Sequence, residues 1–97
     1  MLAFLGGTGP EGKGLALRLA IAGEEAIIGS RDAGRAAAAA EDLLHLAPGS
    51  HIEGAANDQA AVAADIVFLT FPYEGQRPVL EQLQESLAGK IVVTVIA

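Results

Sequence analysis

The sequence predicts an α/β domain with a parallel, doubly wound sheet between two layers of helices. Short apolar runs alternate with segments of helical periodicity along the whole chain, and strands separated by helices pair in parallel through right-handed crossovers. The first run, residues 2–5, has no polar face, as expected for a central strand covered on both sides. The five predicted strands are expected in the order 3-2-1-4-5, which gives a three-layer α/β/α arrangement.

Start and stop signals place each element. Gly23 is positioned to end the first helix, Asp32 to cap the second and Asn57 to cap the third, and Pro48 and Gly49 stop the alanine-rich second helix. Val79, Leu80, Leu83 and Leu87 have helical spacing. The predicted strands are residues 1–5, 26–29, 51–54, 65–70 and 91–96. The predicted helices run from 10 to about 22, from 33 to about 46, from the cap at 57 through 64, and from about 76 or 78 to 87.

Composition limits the classes of function. The 97 residues are 52% hydrophobic, carry a formal net charge of −6 and include no cysteine. The charge disfavours nucleic acid as a partner, and the missing cysteines exclude disulfides and thiolate chemistry. No apolar run approaches the roughly 18 residues of a membrane span, and no basic leader precedes the first strand. We therefore expect one cytoplasmic domain over residues 1–97.

The stretch from Gly6 to Gly12 follows the first strand and opens the first helix, which is the setting of a dinucleotide-binding turn. Gly7 is predicted to take a positive φ in the sharp turn. Gly9 would leave the backbone open to a pyrophosphate, and Gly12 would let the helix pack closely. Pro10 suits the first helical turn. The pyrophosphate would face the free N–H groups of this Rossmann-type helix.

The same glycines also fit other interpretations. A purely structural turn in another α/β domain stays open. A loop that binds a nucleoside triphosphate needs Ser or Thr after Lys13 to hold magnesium, and the chain has Gly14 there. The extended short-chain dehydrogenase turn needs glycine where Leu15 stands. Dinucleotide binding is therefore the favoured hypothesis.

The end of the second strand indicates which dinucleotide is bound. An NAD site has an acidic residue there for the ribose 2′-hydroxyl, whereas this chain has Ser30 and Arg31, with Arg35 one helical turn further. These groups suit the 2′-phosphate of NADP, although two solvated surface arginines are the alternative. Thr70, Phe71 and Pro72 would flank the nicotinamide, and Phe71 is alternatively a core residue. The predicted cofactor-binding residues are Gly7, Thr8, Gly9, Pro10, Glu11, Gly12, Ser30, Arg31, Arg35, Thr70, Phe71 and Pro72.

A longer pattern resembles the NADPH-dependent F420 reductase (F420H2:NADP oxidoreductase) family. Residues 6–20 carry it most strongly, followed by 29–31 and by Thr70-x-Pro72 with Tyr73 and Glu74. The resemblance implies hydride transfer between NADP(H) and the deazaflavin coenzyme F420, with Thr8, Ser30 and Arg31 binding NADP. It also implies a C-terminal region that completes the deazaflavin cleft and a homodimer, so this chain is expected to be a truncated NADP-binding domain.

Hydride transfer between two stacked rings needs orientation more than an acid or a base, so no catalytic side chain is predicted. His45 and His51 are expected on the surface, and their spacing predicts no metal site. Whether the isolated chain is active stays open. The alternatives are a noncatalytic NADP-binding module or fragment, and a Rossmann reductase with another acceptor such as a ketone, an imine or a metal-reducing partner.

Overall fold

The computed structural model describes residues 1–71 and 73–95, and for residues 73–76 it describes the backbone alone. Strands and helices alternate throughout this part of the chain, as predicted. The elements are β1 (Leu2–Leu5), α1 (Pro10–Ile21), β2 (Ala26–Ser30), α2 (Ala33–Leu46), β3 (Ile52–Ala56), α3 (Asn57–Ala63), β4 (Ile66–Leu69), α4 (Tyr73–Gln82) and β5 (Ile91–Thr94).

The strands form one parallel sheet in the order β3-β2-β1-β4-β5, which confirms the predicted topology. The strand β1 lies in the centre, with Leu5 in register with Gly29 of β2 and Leu69 of β4. The chain order reverses between β1 and β4, and ligands of open α/β sheets bind at the carboxyl ends of the strands beside such a point.

Two apolar clusters cover the two faces of the sheet and confirm the three-layer arrangement. Leu2 and Phe4 of β1 belong to the cluster that contains the buried residues of α1 and α2. Ala3 and Leu5 belong to the cluster that contains those of α3 and Leu83. Since neighbouring residues of one strand point to opposite faces, β1 is buried between helices on both sides.

The predicted helix caps at Gly23 and Asp32 are confirmed. Gly23 has a φ of +100°, and the N–H groups of Gly23 and Glu24 donate to Ala20 and Leu19, the bonding of a glycine-terminated helix. The Asp32 Oδ1 accepts the backbone N–H groups of Gly34 and Arg35 at 2.8 and 3.3 Å. This cap fixes the start of α2 beside the end of β2.

Several element boundaries differ from the predicted ones. Strand β1 begins one residue later, β2 ends one residue later, α3 ends one residue earlier, β4 lacks one predicted residue at each end, and β5 ends at Thr94. The larger differences are at β3 and α4. Strand β3 runs to Ala56 because Gly54 to Ala56 pair with β2, although this small-residue segment has little strand character. The helix α4 begins at Tyr73 and includes Pro78 in its interior. Its regular part ends at Gln82, after which Leu83 and Leu87 continue as hydrogen-bonded turns. The predicted strand end at Ile96 lies outside the described residues.

The longest described helix, α2, has 14 residues. In the described ranges, no helix has both the length and the apolar character needed for a bilayer crossing.

Candidate functional site

Three segments predicted to bind a cofactor meet at the carboxyl edge of the sheet. Because Leu5, Gly29 and Leu69 are in register, the residues that follow them, Gly6, Ser30 and Thr70, emerge side by side. The fold therefore brings together the glycine turn, the Ser30–Arg31 corner and the segment after β4. Pro72, also predicted to bind the cofactor, lies outside the described residues.

The left-handed residue of the glycine turn is Gly6, with a φ of +71°. The prediction that Gly7 takes a positive φ is wrong, because Gly7 is not among the residues with positive φ. Gly7 is required for space instead: a Cβ at this position would lie 2.5 Å from the carbonyl oxygen of Phe4 and 3.2 Å from Ile28. The turn therefore reverses at Gly6 and then passes tightly over the end of β1.

Gly12 has the packing role predicted for it. A Cβ there would lie 2.6 Å from the Cα of Gly7 and 2.7 Å from the Oγ1 of Thr70, so the first turn of α1 sits directly on the end of the sheet. Among the described residues, the atom within 4 Å of a Cβ on Gly9 is the Gly6 carbonyl oxygen, at 3.9 Å. The open side of the turn is thus at Gly9, where a ligand could approach the backbone.

Unpaired amides surround this opening. Helix α1 begins at Pro10 without a side-chain cap, and its first backbone bond runs from the Lys13 N–H to the Gly9 carbonyl at 3.0 Å. Within the described residues, the N–H groups of Thr8, Glu11 and Gly12 have no acceptor. Such N–H groups at the positive end of a helix are suited to an anion.

The side chains of the turn leave this opening accessible. Thr8 is partly buried, and its hydroxyl has no partner in the part of the chain that the structure describes. Pro10 occupies the first helical position, as predicted, and is exposed together with Glu11. The Glu11 carboxylate interacts favourably with the helix dipole in the free protein.

At the end of β2, Ser30 is buried and its Oγ accepts the N–H of Asp32 at 3.3 Å. The Ser30 hydroxyl can still donate a hydrogen bond. Arg31 and Arg35 are exposed, and no carboxylate pairs with either guanidinium in the described ranges. The oxygen Oδ1 of Asp32 is engaged in capping α2, so among the described residues this corner presents one hydroxyl and two arginines that form no ion pair.

The segment after β4 packs against the glycine turn. Thr70 is buried, and its hydroxyl donates to the Leu5 carbonyl at 2.8 Å. Phe71 lies against Gly6, since a Cβ on Gly6 would come 2.6 Å from its Cδ1. Both residues therefore contact the turn itself, and their contact with a cofactor stays a prediction, as it does for the other predicted site residues.

The sequence pattern missed one residue of this edge, Asn57. It was predicted to cap α3, but Ala56 is the N-cap residue and no side-chain cap bond forms. Instead, the Asn57 Oδ1 accepts the N–H of Gly6 at 3.4 Å. The predicted strand order could have indicated this contact. In the order 3-2-1-4-5, the connection from β3 to β4 must pass β2 and β1, so it starts near the glycine turn that follows β1.

The sheet order and the glycine turn define the class of the protein, a Rossmann-type domain. A family model described as "NADP oxidoreductase coenzyme F420-dependent" matches residues 1–97, and the chain belongs to this family. The family resemblance seen in the glycine turn and its flanking residues is thereby confirmed.

Curated relatives agree with the family match. The chain is 47% identical over 94 residues to the F420-dependent NADP reductase of Methanothermobacter marburgensis, covering 95% of this chain and 42% of the relative. It is 44% identical over 98 residues to the protein of the same name from Methanocaldococcus jannaschii, covering 97% and 44%. The chain thus spans less than half the length of these relatives.

Solved structures share the fold. The malate dehydrogenase of Aeropyrum pernix superposes with a TM-score of 0.79 at 26% identity, covering 99% of this chain and 36% of that enzyme. A lactate dehydrogenase from Cryptosporidium parvum superposes with a TM-score of 0.78 at 16% identity, covering 97% and 36%. The second likeness concerns the fold alone.

Proposed function

We propose that residues 1–97 form the NADP(H)-binding domain of a reductase that exchanges hydride between NADP(H) and coenzyme F420. The observation that carries the proposal is the proximity of two sets of groups that have no partner among the described residues: amides of the glycine turn and two arginines at the end of β2. The relatives named F420-dependent NADP reductase support the choice of both coenzymes.

In this proposal the N–H groups of Thr8, Glu11 and Gly12 bind the diphosphate. They have no acceptor in the part of the chain that the structure describes, so the ligand would satisfy these donors. No described side chain lies within 4 Å of a Cβ built on Gly9. The helix dipole of α1 adds a favourable field for the negative charge.

The 2′-phosphate would be held by Ser30, Arg31 and Arg35. A serine hydroxyl donates to a phosphate oxygen, and a guanidinium forms two parallel charge-assisted bonds. No carboxylate occupies the strand end itself, because Ser30 ends β2 and Asp32 is engaged in capping α2. The domain is therefore proposed to prefer NADP(H) to NAD(H).

The nicotinamide of bound NADP(H) would supply or accept the hydride. The residues of this domain would bind and orient the dinucleotide, and the proposal assigns no proton transfer to any of them. Thr70 and Phe71, which support the turn, are proposed to set the floor of the nicotinamide end. Positioning of this kind is sufficient for direct transfer between two rings.

Coenzyme F420 is proposed from the relatives alone, because no described residue has a contact that assigns it. The homodimer expected for longer members likewise stays a prediction. The formal charge of −6 and the lack of cysteine in the 97 residues support a cytoplasmic protein whose partners are small molecules rather than nucleic acids.

Isothermal titration calorimetry of the chain with NADPH, NADH and F420 in separate experiments tests the proposal. We expect NADPH to bind at least tenfold more tightly than NADH. NADPH binding without F420 binding would favour a domain that retains only cofactor affinity, which is the alternative function. Equal affinities for NADPH and NADH would contradict the assignment of the 2′-phosphate.

A further inference from the structure

The cofactor site proposed above gives no role to Asn57, although its side chain lies at the same edge of the sheet. The residue is 9% exposed, and its Oδ1 accepts the N–H of Gly6 at 3.4 Å. It makes no cap bond to its own helix. Because Asn is a poor helix former outside a capping role, its presence at the first position of α3 is better explained by the turn.

The neighbouring strand leaves space for this contact. A Cβ on Gly29 would lie 2.8 Å from the Asn57 Oδ1 and 2.9 Å from the Leu5 Cδ2. The Gly29 carbonyl also accepts the N–H of Gly7 at 3.0 Å. Two successive N–H groups of the turn are thus bound inside the protein, one by α3 and one by β2.

These two bonds determine which amides are left for a ligand. Once the N–H groups of Gly6 and Gly7 are occupied, the donors of the turn that have no acceptor among the described residues are those of Thr8, Glu11 and Gly12. Gly6 is also the left-handed residue of the turn. The Asn57 contact therefore acts at the residue where the backbone changes direction.

We propose that Asn57 is a positioning residue for the diphosphate-binding turn, acting through its hydrogen bond to the Gly6 N–H. The inference rests on the proposed function, because it assumes that the turn binds a diphosphate. Through the Gly6 bond, Asn57 ties the start of α3 to the arrangement of the free amides. The hydrogen bond of the Asn57 side chain goes to Gly6 of the turn, whereas the 2′-phosphate corner belongs to β2 and α2.

The lack of charge on the Asn57 side chain is part of its proposed positioning role. An Asp at this position would still accept the Gly6 N–H, but its charge would lie beside the turn that receives a diphosphate. Like charges repel most strongly where water is partly excluded. The two features, an acceptor and the absence of charge, can therefore be separated with Asn57→Leu and Asn57→Asp.

The test measures binding of NADP+, NAD+ and 2′-AMP to these variants by NMR titration well below their melting temperatures. The 2′-AMP probe carries the 2′-phosphate without a diphosphate. Gln59→Glu is the matched control, because it adds one negative charge to an exposed position of the same helix.

We expect Asn57→Leu to weaken NADP+ and NAD+ by the same factor, about threefold to tenfold, the equivalent of one neutral hydrogen bond. Asn57→Asp should weaken both by about tenfold or more at low salt, with a smaller loss as ionic strength rises. Asn57→Leu should leave binding of 2′-AMP unchanged. Asn57→Asp should weaken 2′-AMP less than the dinucleotides, because the side chain is bonded to the glycine turn. Gln59→Glu should bind all three ligands like the wild-type chain.

Two results would overturn the positioning role while leaving the proposed function intact. One is an Asn57→Asp variant that binds both dinucleotides as tightly as the wild-type chain. The other is an Asn57→Leu variant that melts at a lower temperature but retains its affinities, because the bond would then be structural only. If the wild-type chain bound neither dinucleotide, the proposed function itself would fail, and the positioning role with it.

Discussion

The N–H of Gly7 donates to the carbonyl of Gly29 at 3.0 Å. This bond joins the glycine turn to the last residues of β2, the strand that leads into Ser30 and Arg31. The bond therefore holds the glycine turn beside the Ser30–Arg31 corner. In the proposed complex, the diphosphate and the 2′-phosphate would bind at neighbouring positions on this edge of the sheet.

The Arg31→Gln variant tests the 2′-phosphate corner. The loss of a charge-assisted hydrogen bond should weaken NADPH by about 1.5–3 kcal/mol and leave NADH nearly unchanged. Calorimetric dissociation constants for both cofactors measure the difference. Arg18→Gln is the control, because Arg18 is an exposed arginine in the last turn of α1. Equal losses for the two cofactors in Arg31→Gln would argue against a 2′-phosphate contact.

A methyl group at Gly12 should damage both the fold and the site. The added Cβ would be 2.6 Å from the Gly7 Cα and 2.7 Å from the Thr70 Oγ1, so α1 must move away from the turn. We expect Gly12→Ala to lower the free energy of unfolding by about 1–3 kcal/mol, a typical cost of overpacking, and to weaken NADPH and NADH alike.

The control for this variant is Gly14→Ala in the same helix, where a Cβ would have no described atom within 4 Å. Alanine is the better helix former, so this change should stabilise the chain by up to about 1 kcal/mol. Urea denaturation of both variants provides the comparison. A Gly12→Ala variant as stable as Gly14→Ala would show that the close approach at Gly12 is not required.

The Thr70→Val variant separates support of the turn from contact with the cofactor. It removes the hydroxyl that donates to the buried Leu5 carbonyl at 2.8 Å while keeping the branched shape. We expect unfolding to become easier by about 1 kcal/mol, as measured by chemical denaturation. If Thr70 only supports the turn and does not contact the cofactor, NADPH affinity should change less than twofold. A larger loss would favour the predicted direct contact.

The packing of α2 on β3 should be sensitive to substitution of Gly54, although this residue lies away from the glycine turn. A Cβ on Gly54 would collide with the backbone of Ala36 and Ala37, because the alanine-rich helix packs directly on β3. Gly54→Ala should cost about 1–3 kcal/mol of stability by overpacking. Thermal denaturation measures this loss of stability. Gly49→Ala is an unsuitable control because Gly49 has a φ of +87°, so Gly14→Ala is again the control. Equal melting temperatures for Gly54→Ala and Gly14→Ala would contradict the close packing of α2 on β3.

The fold was predictable from the sequence because its signals are local and agree with one another. Apolar strands, Pro10, Gly23 and Asp32 each mark a boundary, and alternating strands and helices leave few topologies. The end of β3 was missed because Gly54 to Ala56 are held in the sheet by pairing with β2, and their own residue types carry no strand preference.

The site was predictable where it depends on spacing and missed where it depends on long-range contact. Adjacent glycines do not reveal from sequence which of them is left-handed, since this is set by the path over Phe4, and Gly7 was wrongly chosen. Asn57 is 51 positions from Gly6, so its bond to the turn could not be inferred from either segment alone. The cofactor contacts themselves remain predictions.

Proton–nitrogen correlation NMR of the chain with NADP+ and with 2′-AMP measures both halves of the site in one experiment. With NADP+, the amide signals of Thr8, Glu11 and Gly12 should shift together with those of Ser30 and Arg31. With 2′-AMP, only the signals around Ser30, Arg31 and Arg35 should shift. An NADP+ titration that left the amides of Thr8, Glu11 and Gly12 unchanged would contradict the assignment of the glycine turn as the diphosphate site.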